Sequence, residues 1–302
     1  MNIVLIVPTY NAGNSWSKWL DSVSSQNLLL SSVYIIDSSS SDDTVKLAKE
    51  YGFTCDVISK EDFGHGKTRQ FALQKYLNSD VVIFLTQDAF LASNDALNKL
   101  VNVFDDPLVG ISYGRQLPRI GARQIEAHAR IFNYPDKSHI RSIKDKEALG
   151  LKVAFTSNSF CAYRTEALID VGGFPLDTIV SEDMYVAAKM LKKGWKIAYC
   201  SKAAVYHSHN YGYMDEFRRY FDIGVFNSRE QWILHEFGNA ESKGLEFIRS
   251  EVSFLMHKNI ILIIESFFRT IIKFVGYRLG MIEKSIPVAM KRVMSAQSSY
   301  WN

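Results

Sequence analysis

This 302-residue sequence predicts an α/β fold: a mostly parallel sheet flanked by helices, with a helical C-terminal extension. Three observations carry that expectation. Short, fully apolar runs alternate with helix-patterned stretches through the first half of the chain, and such alternation specifies right-handed crossovers between parallel strands. Polar clusters stand directly after those runs, where parallel sheets bind their ligands. From Tyr213 onwards the pattern is mostly helical.

Taken in order, Ile3 to Val7 is an unbroken apolar run stopped by Pro8, which suits a strand buried on both faces. A helical pattern runs from Trp16 to about Gln26, and a second strand from Val33 to Ile36 ends at Asp37. Asp42 or Asp43 can cap the next helix, which reaches Ala48. A short strand near Val57 leads to Gly64, a helix is expected from Lys67 to Leu77, and Val81 to Leu85 is the next strand. It ends in Thr86, Gln87 and Asp88. From about Tyr113 to Thr156 the pattern weakens, with a helix around Ala122 to Phe132 and a polar loop around Tyr134 to Asp145. Phe160 to Tyr163 and Trp195 to Cys200 read as strands flanking a helix that starts near Glu182. The division falls at residues 1–211 and 212–302.

Composition narrows the function classes. Apolar residues make up 47% and charged residues 22%, which argues for a folded globular chain. A net charge of +3 is too small to point to nucleic acid, and none is expected as a partner. After Met256, however, Lys258, Arg269, Lys273, Arg278, Lys284, Lys291 and Arg292 face only Glu265 and Glu283, a balance suited to an anionic membrane surface. Cys55, Cys161 and Cys200 are widely spaced without metal-ligand spacing and read as free thiols in a reducing compartment. The opening MNIVLIVPTYN lacks the basic start and long apolar core of a signal peptide, so a cytoplasmic location is expected.

Each cluster admits two readings. Asp88, after a buried strand, is either a turn aspartate or a carboxylate aimed into the cleft to hold a divalent cation. Glu182 and Asp183 open a helix and are either macrodipole partners or a general base. His207 and His209 lie two apart on an extended segment and so share a face; they are surface histidines, or one of them completes a metal site with Asp88. Imidazole would favour Mn2+ somewhat over Mg2+. The segment from Gly64 to Arg69 could place backbone amides and cations near phosphates, but it lacks P-loop spacing. No GxGxxG follows the first strand, which counts against a dinucleotide-dependent dehydrogenase.

Together these clusters resemble glycosyltransferase family 2. The resemblance lies in VPTYN at 7–11, IDSSSSDDT at 36–44, GHGKTRQ at 64–70, LTQDA at 85–89, SNSFCAYRTEALIDVGGF at 157–174, SEDMYVAAKMLKKGW at 181–195 and VYHSH at 205–209, in that order. HGKTRQ, TQDA, YGRQLP at 113–118 and the closing SSYW are similar, more narrowly, to bacterial dTDP-L-rhamnose-dependent rhamnosyltransferases of O-antigen assembly. The resemblance implies a GT-A fold in residues 1–211, inversion at the anomeric carbon, a nucleotide-sugar donor and a saccharide or lipid-linked acceptor. It implies donor contacts from Pro8, Thr9, Tyr10, Asp37, Gly66, Arg69, Gln87 and Asp88, with Asp37 accepting a hydrogen bond from the base. Asp88 would hold Mn2+ or Mg2+ with His207 or His209. Asp183 would be the base, with Glu182 second choice, and Arg115 and Asn158 would lie on the acceptor side.

Two departures matter. The metal motif reads Thr86-Gln87-Asp88 and offers one carboxylate, and Gln70 stands where many relatives have asparagine. The competing classes are a family 2 enzyme using another nucleotide sugar, a nucleotidyltransferase and a non-catalytic nucleotide-sugar-binding protein. In the C-terminal region Glu265, Arg269 and Lys273 recur every four residues and draw one polar stripe along an apolar helix. Such a helix either lies on the inner membrane surface or packs on its own domain or a second subunit of a homo-oligomer.

Overall fold

The fold is given by a computed structural model that describes residues 1–238 and 241–301. Residues 239, 240 and 302 of the C-terminal region lie outside the described residues. The strands are β1 (Ile3–Thr9), β2 (Ser32–Asp37), β3 (Thr54–Val57), β4 (Val81–Leu85), β5 (Phe90–Leu91), β6 (Val109–Leu117), β7 (His139–Arg141), β8 (Phe160–Arg164) and β9 (Lys196–Tyr206). The helices of the first half are α1 (Trp16–Ser24), α2 (Thr44–Glu50), α3 (His65–Gln74), α4 (Ala96–Val101) and α5 (Gln124–Asn133). They are followed by α6 (Lys146–Leu149), α7 (Thr165–Asp170), α8 (Glu182–Lys192), α9 (Tyr213–Arg229), α10 (Gln231–Phe237), α11 (Glu241–Met256), α12 (Ile261–Met281) and α13 (Val288–Met294).

One sheet takes all the strands, in the order β3-β2-β1-β4-β8-β6-β9-β5, with β7 beside β9. β1 pairs in parallel with β2 and β4, β2 with β3, and β6 with β9. β8 runs antiparallel between β4 and β6, and β5 and β7 run antiparallel to β9. The expected mostly parallel sheet is therefore present, with β5, β7 and β8 opposing the rest. Successive strand side chains point to opposite faces. Val4, Ile6, Val82 and Phe84 pack toward α3, α8 and α9, while Leu5, Val7, Ile83 and Leu85 pack toward α1 and α4.

The chain departs from its sequence reading in the middle. The stretch read as weakly patterned holds β6, and the polar loop holds β7. β6 reads VGISYGRQL, and its two glycines disguise a strand. A Cβ on Gly114 would meet the Phe160 ring at 2.2 Å, so the glycine admits that ring against the backbone. β9 runs past Cys200 to Tyr206 through a register shift: Gly114 faces Cys200, but Arg115 faces Ala204. That bulge carries the polar Ser201 and Lys202, which look like a strand end in sequence.

α12 lies along α9 on a seam of glycines. A Cβ on Gly276 would approach the Phe217 carbonyl oxygen to 2.5 Å, and one on Gly280 would approach that of Phe221 to 2.1 Å. The polar stripe expected on α12 faces this seam. Arg269 is buried and pairs with Glu216 at 3.0 Å and Glu265 at 2.8 Å, and Lys273 reaches Glu216 at 3.2 Å. Gly280→Ala should lower stability by about 1–3 kcal/mol in thermal or denaturant unfolding, because the added methyl overpacks backbone against backbone. Gly244→Ala on α11, where no atom lies within 4 Å of the new methyl, should not lower it.

Candidate functional site

The loops after β1 and β4 are clasped together. The Tyr10 amide donates to Gln87 Oε1 at 2.7 Å, and Gln87 Nε2 donates to the Tyr10 carbonyl at 2.9 Å. They wall a cleft of about 510 Å³ that includes Pro8, Thr9, Tyr10, Arg69, Gln87 and Asp88. His65, from the segment between Gly64 and Arg69, also lines it, as do two residues that the sequence reading did not single out, Lys60 and Phe63. The Lys60 ammonium stands 4.7 Å from the centre of the Tyr10 ring. Asp37 lies beneath this cleft and is fully buried. Its carboxylate accepts from Thr9 Oγ1 at 2.8 Å, from the Ser40 amide at 2.7 Å and from Ser40 Oγ at 2.6 Å. Gly66 is absent from the lining: a Cβ there would sit 2.0 Å from the Pro175 carbonyl oxygen, so the glycine lets α3 touch the chain before α8.

Asp88 is placed by strand pairing. It sits in the turn that joins β4 to β5, where the Ala89 amide donates to the Thr86 carbonyl at 3.0 Å. β5 pairs with the end of β9, Phe90 opposite Tyr206, and His207 comes directly after. His207 Nε2 and His209 Nε2 then lie 3.3 and 3.4 Å from Asp88 Oδ2. The three ligand atoms fall within 4.8 Å of one another, and among the described residues this is the one group of that kind.

The tautomer of His207 is set by its other nitrogen. Nδ1 lies 2.9 Å from Gln116 Oε1, and Arg130 Nη1 donates to that same oxygen at 2.6 Å. A guanidinium cannot accept, so the atom facing it is the amide oxygen, and His207 must carry its proton on Nδ1. The Nε2 lone pair is left facing a carboxylate, an arrangement that a cation satisfies and a bare protein does not. Burial pushes both histidines below the ordinary imidazole range, His209 to about 4, so both are neutral ligands at physiological pH. The residues present therefore fit a divalent ion.

A pair of carboxylates opens α8. Ser181, before them, has φ 62°, and the other non-glycine residues with positive φ among those described are Asn11 (43°) and Ser39 (60°), in the loops after β1 and β2. Backbone strain is thus confined to segments around the site. Glu182 is buried, 3.1 Å from Arg69 Nη1, and accepts from Asn158 Nδ2 at 2.8 Å. Burial disfavours its charge, but Arg69 beside it keeps it ionised. Asp183 has the opposite fate: burial, and then the charge of Glu182, push it up to about 7 despite amide bonds from Met184 and Asn158. Two adjacent carboxyls are thus driven apart, one a fixed anion and one able to exchange a proton near neutrality.

Asp183 faces a second cavity of about 400 Å³, shared with Arg130, Tyr134, His207, His209, Tyr211, Arg219 and Tyr220. A smaller space of about 210 Å³ joins the two, sharing His65, Arg69 and Thr86 with the first cleft and Ser157, Asp183 and Arg219 with the second. Asn158 borders this junction, but its side chain is spent on Glu182 and on Tyr163, whose hydroxyl donates to it at 2.8 Å, so it positions the carboxylates. Arg115 lines none of these spaces: it pairs with Asp136 at 2.6 Å and donates to the Tyr134 carbonyl at 3.2 Å. Strand parity turns Arg115 away from these spaces, and Gln116, the next residue on β6, is the one that faces them. No sequence signal links Gln116 to Arg130 or to His207.

Comparison with known proteins agrees with this geometry. Residues 4–172 match the family described as Glycosyl transferase family 2. The chain is 46% identical over 303 residues to the O-antigen chain rhamnosyltransferase RfbN of Salmonella typhimurium, covering 100% of this chain and 96% of that protein. It is 45% identical to the O-antigen chain rhamnosyltransferase WbaN of Salmonella anatum, with coverage of 100% and 96%. Among solved structures, the mannosyltransferase PcManGT of Pyrobaculum calidifontis in complex with GDP-Man and Mn2+ superposes with a TM-score of 0.66 at 18% identity, covering 94% of this chain and 88% of that one. S. aureus TarS 1-349 in complex with UDP gives a TM-score of 0.55 at 18% identity, covering 93% and 90%. At these identities the structural likeness concerns the fold.

Gln116→Leu should weaken Mn2+ binding about 10- to 100-fold, as loss of an outer-shell partner to a ligating histidine does. Electron paramagnetic resonance of free Mn2+ in the presence of a nucleoside diphosphate measures this. Gln116→Glu, which keeps an acceptor for both Arg130 and His207, should retain most of the affinity.

Proposed function

We propose that this chain, which belongs to glycosyl transferase family 2, transfers L-rhamnose from dTDP-L-rhamnose, with inversion, to a saccharide or lipid-linked oligosaccharide acceptor in O-antigen synthesis in the cytoplasm. One observation carries the mechanism: a continuous space has Asp88 on the first cleft and a proton-exchanging Asp183 on the second cavity, whose wall also carries His207 and His209, the histidines that face Asp88. The full-length likeness to two rhamnosyltransferases supports the sugar.

The nucleoside end of the donor fits the first cleft, with Tyr10 and Phe63 as aromatic walls and Lys60 and Arg69 as cations for phosphate oxygens. Asp37 shapes that pocket through Thr9 and Ser40. The sugar occupies the junction, and the acceptor enters the cavity of Tyr134, Tyr211 and Tyr220, a wall that residues 212–302 help to build. Asp183 takes the proton of the acceptor hydroxyl, and that oxygen attacks the anomeric carbon. The bond to the diphosphate oxygen breaks on the opposite face, and the nucleoside diphosphate leaves. Asp88, with His207 and His209, would hold Mn2+ or Mg2+, which when bound neutralises the charge that builds on the departing diphosphate. Glu182 is the poorer base, because Arg69 and Asn158, both at Oε1, hold it as a buried anion of lowered basicity.

A panel of nucleotide sugars, each supplied with Mn2+ or Mg2+ and assayed for donor hydrolysis and transfer, tests the assignment. dTDP-L-rhamnose should be turned over fastest, and a faster UDP-hexose or UDP-N-acetylhexosamine would overturn the sugar while leaving the site intact. Asp183→Asn should reduce turnover by roughly two to four orders of magnitude, the usual worth of general-base help, with donor KM little changed. Asp183 acts as the carboxylate, so turnover should rise with pH through a limb near 7, reflecting its raised pKa. A flat profile across roughly pH 5 to 8 would remove Asp183 from that role.

A further inference from the structure

α12 is an amphipathic helix mounted the wrong way round for a water-facing surface. Its charged residues Glu265, Arg269 and Lys273 turn inward to Glu216 on α9, and its apolar residues turn outward. Ile264 is 61%, Phe267 63% and Phe274 63% exposed, and Ile261, Phe268 and Val275 stand open beside them. Their spacing of three and four residues places them on one face along the whole helix. Among the described residues no helix is long and apolar enough to cross a membrane.

We infer that the outer face of α12 docks this enzyme onto an anionic lipid surface. Charge decides between a bilayer and a second copy of the chain. Exposed Lys258 stands before α12, and exposed Arg278 and Lys284 stand at its far end. The carboxylates of the segment 257–301 are Glu265 and Glu283, and both are spent: Glu265 on Arg269, and Glu283 on Arg229 at 3.1 Å and Lys291 at 2.5 Å. Pairing two α12 faces antiparallel would bring Lys258 of one against Arg278 and Lys284 of the other, with no carboxylate between them. A phosphate-rich headgroup layer supplies the missing negative charge and accepts the apolar side chains. The face is fixed to the active site, because α12 is locked to α9 by Gly276 and Gly280 while α9 supplies Arg219 and Tyr220 to the Asp183 cavity. This contact is independent of the donor sugar and of the acceptor's identity.

Flotation of the full chain with vesicles tests it. The wild type should float with phosphatidylglycerol-containing vesicles at low salt, and much less with pure phosphatidylcholine. Ile264→Glu combined with Phe268→Glu should abolish flotation while leaving donor hydrolysis in solution unchanged. Lys258→Gln, Arg278→Gln and Lys284→Gln together should weaken binding to the anionic vesicles by roughly tenfold or more. Failure of the wild type to float with either vesicle overturns the inference. So does a dimer in light scattering that the Ile264 and Phe268 substitutions dissociate, which would assign the face to a second copy. Loss of flotation with full donor hydrolysis separates this contact from the catalytic reading.

Discussion

The buried pair of Arg69 and Glu182 is the interaction on which the site depends. Burying two charges is costly, and the cost is met here because Glu182 also accepts from Asn158 and Arg69 also donates to the His65 carbonyl at 2.9 Å. The pair bolts α3, behind the donor cleft, to the start of α8. It keeps Glu182 charged, and a charged neighbour is part of what lifts Asp183 into the range where a carboxyl trades protons near neutrality. The pair thus fixes position and adds to reactivity. Were it absent, the floor between the two cavities would lose its joint, and Asp183 would keep burial but lose the charged neighbour that adds to it.

The metal side is built by different means. Asp88 reaches the histidines because a two-residue strand, β5, ties the turn after β4 to the end of β9. The bulge in β9 sets the phase of the residues beyond it, so that Gln116 and His207 come side by side. With a single carboxylate the ligand set is poor in charge, and the orientation of His207 by Gln116 and Arg130 compensates in geometry. The donor diphosphate would supply the remaining oxygens, coupling ion binding to substrate binding.

Much of this was legible in the residues. The runs at Ile3 and Val81 are fully buried strands, and the run at Val33 is buried from Tyr34 onwards; such strands announce themselves as unbroken apolar segments. The clusters after them do converge. The illegible parts share a cause: they depend on partners distant in the chain. β6 hides behind two glycines whose purpose is visible only when Phe160 and Ala203 are placed against Gly114. Arg115 and Gln116 differ by one step of strand parity, which a weakly patterned segment does not reveal. The stripe of Glu265, Arg269 and Lys273 is real, but periodicity gives the existence of a face and not its direction. Only the cluster around Glu216 shows that the charged side is the inner one.

The glycine seam between α9 and α12 has a consequence for how such enzymes diversify. A contact of backbone on backbone has no side chains to trim or enlarge, so the two helices cannot drift independently in sequence. They must be inherited as a cassette, acceptor wall and outer face together. The donor half, held by its own ion pair and sheet, is free of that bond. New acceptor preferences would then arise by exchange of the helical cassette or by changes at cavity-lining positions such as Arg219 and Tyr220, while the seam itself stays frozen.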